Sequence, residues 1–195
     1  MNIQEIEIKL KNEMTINSVL NERYIHSLGV AEACVELVKY YKLNIDLKKA
    51  YLAGLLHDAT KLIDKKIQKE MLYQAGYKDT DEIMKSTNVW HGETAYLYVK
   101  EEYGINDEEI LNAIRYHVMG RPNMTNLEKV VFVADYIEKN RKGIVFENAR
   151  KIAYDNLDDA ILYILKSQIE YITSKGEVLI GQTLKTFDYY KKQED

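Results

Sequence analysis

Apolar residues recur every three or four positions along most of the chain, which is the period of an amphipathic helix. The longest such pattern predicts a helix from about Asn21 to Tyr41, with Val30, Leu37 and Val38 on its apolar face. Further helices are predicted at about 46–57, 65–75, 90–103, 106–117, 125–135, 156–174 and 181–193. No stretch alternates strictly between apolar and polar residues, so no substantial sheet is expected and the predicted class is all-α.

Capping signals support several of these helix starts. Asp46 is a typical N-cap residue ahead of an apolar run. Two pairs, Asn106 with Glu109 and Thr125 with Glu128, have the spacing of a capping box. We therefore predict that helices begin at these points.

Composition narrows the class of protein. With 195 residues, 46% apolar and 30% charged, the chain has the makeup of one folded globular domain. The net charge of −4 is spread over both signs with no basic tract, so no nucleic-acid partner is expected. No apolar run is long enough for a membrane span or a signal peptide. A single cysteine, Cys34, excludes an internal disulfide, and we expect a cytoplasmic protein without membrane association.

The candidate chemistry lies in the histidines. All four lie on or beside predicted apolar helix faces, one of them is followed by aspartate, and a second aspartate ends the apolar run VVFVAD. The six residues are His26, His57, Asp58, His91, His117 and Asp135. A lone His-Asp pair is most often a surface pair or a helix-end ion pair. Six such residues that include every histidine favour one shared site, because buried carboxylates are costly unless paired or metal-bound.

The residue types indicate the kind of metal. Imidazole nitrogens and carboxylate oxygens, with no cysteine ligand, suit a catalytic site with open positions rather than structural zinc. Such ligands suit iron or manganese.

The order His, His-Asp, His, His, Asp resembles the HD-domain superfamily of metal-dependent phosphohydrolases. The local contexts are RYIHS (23–27), HDATK (57–61), WHGE (90–93), IRYH (114–117) with GRP (120–122), and ADYIEKNR (134–141). In these contexts the chain is similar to the bacterial YqeK family of symmetrical bis(5′-nucleosyl)-tetraphosphatases, which hydrolyse diadenosine tetraphosphate. Two positions depart from that pattern: Val118 stands where threonine is usual, and Lys139 where proline is usual.

The resemblance implies an HD-domain helical bundle with two metal ions, iron being favoured and manganese the alternative. One ion would be held by His26, His57, Asp58 and Asp135, and the other by His91 and His117 with Asp58 bridging. A hydroxide bridging the ions would attack an inner phosphorus of the substrate. We expect a single domain, 1–195, with a metal-binding core at about 20–141 and a C-terminal helical layer at about 147–192, joined by a hinge at Lys139–Glu147.

A polyphosphate substrate also requires cations from the protein. Lys61 follows Asp58 by about one helical turn, so its side chain can point into the same site. Asp58 and Lys61 are therefore the expected catalytic residues, and Lys61 is also expected to bind substrate. Arg121 and Arg141 flank the later motifs and are expected to bind phosphate, although either could be a surface residue. Trp90 could stack on a base, but packing in the core is favoured. The expected partner is a dinucleoside polyphosphate, and the sequence is compatible with a homodimer.

Two rival functions remain open from the sequence. The first is a related phosphohydrolase acting on another nucleotide, such as a 5′-nucleotidase or a cyclic-nucleotide phosphodiesterase. The second is a module that senses nucleotides through an inactive site. The complete set of metal ligands argues against the second alternative.

Overall fold

The computed structural model describes residues 1–192 and is built almost entirely from helices. The helices are α1 (Ile3–Glu13), α2 (Glu22–Tyr40), α3 (Leu47–Leu56), α4 (Lys65–Gln74), α5 (Trp90–Glu102), α6 (Glu108–Tyr116), α7 (Asn126–Ile137), α8 (Ile144–Ala153), α9 (Leu157–Ser174) and α10 (Gly181–Lys191), with a short 3-10 turn at Glu82–Lys85. The strands β1 (Thr15–Ile16) and β2 (Val19–Leu20) form one antiparallel pair. The all-α prediction is therefore confirmed.

Two predicted helix starts form as expected. The carboxylate of Asp46 accepts a hydrogen bond of 2.7 Å from the backbone N–H of Lys48 and so caps α3. At α7, Thr125 and Glu128 form both bonds of the capping box. These bonds satisfy backbone donors that a helix start leaves without partners.

The predicted start of α6 is wrong by one residue. Asp107, not Asn106, is the N-cap, and its carboxylate accepts from the backbone N–H of Glu109 at 3.0 Å. Asn106 instead donates its side-chain amide to the carbonyl of Gly104. The carboxylate one position later is also an effective cap, and spacing alone did not distinguish the two.

Two helices occupy segments where the apolar pattern predicted none. α1 begins with a capping box and buries Ile6 and Leu10. α8 begins at Ile144, so the second half of the predicted hinge is helical. Gln193, the predicted end of the last helix, lies outside the described residues.

Arg150 binds three carbonyls of the turn between α7 and α8. Arg150 donates hydrogen bonds of 2.6–2.7 Å to the carbonyls of Ile137, Glu138 and Arg141. Because these are backbone carbonyls of the turn itself, Arg150 fixes the path of the chain just after Asp135.

The helices α2 and α3 cross at unusually close range. At Gly54 an added Cβ would lie 2.9 Å from the Cα of Ala31 and 2.8 Å from the Sγ of Cys34. Gly54 lies against Ala31, and three residues later the His57 ring is 5.2 Å from that of His26. The two helices therefore run antiparallel, and the C-terminal end of α3 lies beside the N-terminal part of α2. This crossing brings His57 close to His26.

The remaining helices complete the core around this pair. α5 packs on α6, and α6 packs on α7, which also contacts α2 and α3. α8, α9 and α10 form an outer layer, with α8 and α9 against α7 and α10 against α9. Within residues 1–192, no helix has both the length and the apolar character needed to cross a bilayer.

We predict that Gly54→Ala destabilises the protein by about 1–3 kcal/mol, because the added methyl group would overpack the crossing with α2. The sign is diagnostic, since Gly→Ala inside a helix ordinarily stabilises by about 1 kcal/mol. Urea denaturation would measure the change. Lys48→Ala, at an exposed position of the same helix, is the control and should lie within about 0.5 kcal/mol of wild type. A Gly54→Ala protein as stable as wild type would contradict this account.

Candidate metal centre

The six predicted residues meet at one point, where the ends of five helices converge. We call this group the His/Asp cluster. His26 lies in the second turn of α2, His57 and Asp58 at the end of α3, His91 at the start of α5, His117 at the end of α6, and Asp135 in the last turn of α7. Three subsets of the cluster have ligand atoms within 4.8 Å of one another.

The carboxylate of Asp58 lies between two pairs of histidines. Its Oδ2 is 3.4 Å from His57 Nε2 and 3.9 Å from His26 Nε2. Its Oδ1 is 3.5 Å from His91 Nε2 and 3.7 Å from His117 Nε2. The two oxygens therefore face different histidine pairs, an arrangement that suits a carboxylate bridging two ions.

Asp135 lies on only one side of the cluster. Its Oδ1 is 3.0 Å from His26 Nε2 and 3.7 Å from His57 Nε2. These are the same two histidines that face Oδ2 of Asp58. The arrangement makes one side of the cluster richer in carboxylate than the other.

Backbone carbonyls orient two of the imidazoles. His57 Nδ1 lies 2.7 Å from the carbonyl of Gly54, and His117 Nδ1 lies 2.6 Å from the carbonyl of Ile114. A carbonyl oxygen can only accept, so Nδ1 carries the proton in both rings and Nε2 has a free lone pair. Each bond reaches back three residues at a helix end, and it leaves the Nε2 lone pair available to a metal.

A buried carboxylate orients the third imidazole. His26 Nδ1 is 3.3 Å from Oε1 of Glu138, whose side chain is almost fully buried. An added Cβ at Gly29 would lie 2.5 Å from Oε2 of this glutamate, so a side chain there would displace the carboxylate. Glu138 was not assigned a role from the sequence, although its place three residues after Asp135 is a helical spacing.

The cluster contains buried polar atoms without partners, which tests whether it fits a metal. Among residues 1–192, His26 Nε2, His57 Nε2 and Asp58 Oδ1 are buried and make no hydrogen bond. A buried unsatisfied group costs about 1–3 kcal/mol, so three of them at one point are unexpected unless something else binds there. Imidazole nitrogens and carboxylate oxygens are suitable donors for a transition metal, and the residues fit such an ion.

The charges in the cluster favour ionised carboxylates. Burial alone would raise the pKa of Asp58, but the imidazoles of His57, His117 and His91 outweigh it and hold that pKa well below its usual range. Burial likewise opposes ionisation of Asp135, and its neighbours His26, His57 and Arg141 again lower the pKa well below normal. Both groups are therefore available as anionic ligands at neutral pH.

Three basic side chains lie beside the cluster. Arg23 Nη1 is 2.8 Å from Asp58 Oδ2, and Arg141 Nη2 is 2.7 Å from Asp135 Oδ1. Lys61 Nζ lies 3.1 Å from Nε2 of His91. Burial and the nearby Arg23 lower the pKa of Lys61, while Asp58 opposes that shift. Arg23 was quoted within a motif but was not assigned to the site from the sequence.

Arg121 is engaged elsewhere. Its guanidinium donates two hydrogen bonds of 2.9 Å to the buried carboxylate of Glu128 and lies over the ring of Tyr116. None of its ion pairs within the described residues involves the His/Asp cluster. This pairing anchors the start of α7.

Neither departure from the family pattern disturbs the cluster. Val118 packs against a small apolar group that contains Val89 and Trp90. Lys139 is exposed and pairs with Glu32 at 2.6 Å. Trp90 is 5% exposed, and its indole N–H donates to a backbone carbonyl, as expected of a packing residue.

A cavity of about 540 Å³ opens beside the cluster, and we call it the mouth. Arg23, His26 and Arg141 line it, together with Leu62 and Asn140. Its size lies within the range of small-ligand sites, and its cations suit an anionic ligand.

Comparisons with known proteins agree with the geometry. A family model described as the HD domain matches residues 23–140, more than half of the chain. A Halalkalibacterium halodurans protein named "Bis(5′-nucleosyl)-tetraphosphatase, symmetrical" is 37% identical over 85% of this chain and 87% of its own length. A Bacillus subtilis protein of the same name is 34% identical over 97% of both chains.

A solved structure supports the fold. A Clostridium acetobutylicum protein, described as a predicted HD superfamily hydrolase involved in NAD metabolism, superposes with a TM-score of 0.90. It is 34% identical in sequence, and the match covers 99% of this chain and 98% of that chain.

Proposed function

The chain belongs to the HD-domain family, and we propose on that premise that it is a phosphohydrolase that cleaves dinucleoside tetraphosphates symmetrically. The reaction adds one water and releases two nucleoside diphosphates, so diadenosine tetraphosphate gives two ADP. The observation that carries this proposal is the position of Asp58 between two histidine pairs. Relatives named for this activity match most of the chain and support the choice of substrate.

We assign the cluster residues to two ions. His26, His57 and Asp135 would hold the first, His91 and His117 the second, and Asp58 would contribute one oxygen to each. Bound ions of this kind activate water and offset the negative charge that develops on a transferred phosphoryl group. The nitrogen and oxygen donors suit iron or manganese, and the family resemblance favours iron.

The protein's own cations would position the phosphates. A tetraphosphate is strongly anionic, and the mouth provides the guanidinium groups of Arg23 and Arg141. Lys61 lies against His91 within the cluster. Arg23 pairs with Asp58, and Arg141 pairs with Asp135. Bound ions would neutralise these two carboxylates. The arginines would then be able to pair with phosphate oxygens instead. Arg121 would join them only by leaving Glu128.

Cleavage at the centre of the bridge requires correct positioning. An inner phosphorus must lie where water is activated, and the departing nucleoside diphosphate must find a nearby positive charge. Lys61 is suited to that task, because it lies against His91 on one side of the cluster while the arginines lie on the other.

We predict that His117→Ala loses one metal ion per chain, whereas Asp58→Ala loses both. His117 faces only one oxygen of Asp58, while Asp58 faces both histidine pairs. Elemental analysis of anaerobically purified variants measures the metal content, and circular dichroism checks the fold. Asp79→Ala, which removes an exposed surface carboxylate, is the control and should keep both ions. If Asp58→Ala retained the full metal content, the bridging assignment would be rejected.

We also predict that diadenosine tetraphosphate yields ADP as the sole early product. One oxygen from labelled water should appear in one ADP of each pair, which mass spectrometry would detect. Lys61→Ala should lower turnover by about 100-fold or more with unchanged metal content, because an electrostatic contact to the reacting phosphates is lost. Lys66→Ala, an exposed lysine nearby, should have little effect. Early ATP and AMP would disprove the symmetrical assignment and favour action on another phosphate bond.

A further inference from the structure

Arg141 forms a wall between two cavities. On one side its Nη2 contacts Asp135 Oδ1 at 2.7 Å and its side chain lines the mouth. On the other side its guanidinium carbon lies 5.4 Å from the centre of the Phe146 ring. The same side chain lines a second cavity of about 720 Å³ there.

This second cavity, which we call the Phe146 groove, runs between α7, α8 and α9. Its lining includes Tyr136, Val145, Phe146, Ser167, Gln168 and Tyr171. The rings of Tyr136 and Phe146 are 4.9 Å apart at a tilt of 51°. Tyr171 is 61% exposed and Val145 37% exposed, so the groove presents apolar surface to solvent.

The composition of the Phe146 groove matches a nucleoside. A nucleobase is flat and uncharged, it stacks on aromatic rings, and its edge carries hydrogen-bond donors and acceptors. Tyr136 and Phe146 supply rings, and the Gln168 amide can both donate and accept. The Ser167 hydroxyl donates its proton to the carbonyl of Tyr163 and can accept a hydrogen bond from a ligand. Trp90, the other aromatic residue considered for stacking, is buried with its N–H already bonded.

The charges have the polarity that a nucleotide needs. Cations lie on the mouth side of Arg141, next to the cluster where the phosphates would react. The aromatic rings lie on the opposite side of the same guanidinium. A nucleoside phosphate lying across Arg141 would therefore place its anionic part at the cluster and its neutral part in the groove.

We propose that the Phe146 groove binds one nucleoside of the substrate, stacked against Phe146 and bordered by Tyr171, with Arg141 contacting the adjoining phosphate. This assignment rests on the proposed function, since it supposes a nucleotide whose phosphates reach the His/Asp cluster. It makes the groove the element that distinguishes a nucleoside polyphosphate from inorganic polyphosphate.

Calorimetric titration of the manganese-loaded protein with two probes tests the proposal. ADP carries a base and a diphosphate, and pyrophosphate carries the diphosphate alone. We expect wild type to bind ADP more tightly than pyrophosphate. Phe146→Leu, which keeps apolar volume but removes the ring, should weaken ADP binding by about tenfold. Pyrophosphate binding should not change, and Phe146→Tyr should retain ADP affinity.

Two further variants keep the test decisive. Tyr171→Ala changes an exposed side chain, cannot disturb the core, and should also weaken ADP selectively. Leu184→Ala, at an exposed apolar position on α10 that does not line the groove, should change neither affinity. Should Phe146→Leu fail to fold, Tyr171→Ala decides the outcome.

Two results would overturn the proposal. In the first, ADP affinity stays unchanged in the groove variants. In the second, ADP and pyrophosphate weaken equally, which would mean that Phe146 acts only through Arg141. Failure of the proposed function is a separate result. If the groove variants lose ADP affinity selectively but the wild-type protein does not cleave diadenosine tetraphosphate, the groove remains a nucleoside site and that substrate is rejected.

Discussion

Asp58 places a carboxylate that is 2% exposed in the middle of the helical core, where a negative charge is costly unless other groups compensate for it. Arg23 supplies a positive charge at one carboxylate oxygen, where His57 also lies, and His91 and His117 face the other oxygen. The elements that carry these side chains must therefore converge on one point. The need to neutralise a single buried carboxylate links the topology of the bundle to its chemistry.

The ends of the helices supply the backbone groups that orient the imidazoles around Asp58. A helix end leaves carbonyls without partners, and the carbonyls of Gly54 and Ile114 use that capacity to orient His57 and His117. Gly54 has a second role, since its missing side chain allows α3 to approach α2 closely. The backbone thus sets both the position and the direction of the imidazole lone pairs. The unpaired Nε2 of His57 that results is a cost to the fold that a bound ion would remove.

Much of this arrangement could be predicted from the sequence, because histidines are scarce and each lies on an apolar face. The six cluster residues do converge in the structure, while their individual roles as ligands stay predictions. Arg23 and Glu138 were not assigned, since a charged residue in a helix has a surface position by default and only tertiary contacts show its partner. Arg121 was expected at the phosphates but is paired with Glu128, seven residues away. Phe146 was not assigned a role, because the sequence around a single aromatic residue does not indicate which residues it contacts in the fold.

The central claim is that two ions lie on either side of the Asp58 carboxylate. Anomalous diffraction from an anaerobically grown, iron-loaded crystal, collected at the iron absorption edge, tests it most directly. The account predicts two anomalous peaks about 3.5–4 Å apart, one beside His26 and His57 and the other beside His91 and His117, with Asp58 contacting both. A single peak at full metal loading would contradict it. Two peaks would also contradict it if Asp58 contacted only one of them or neither.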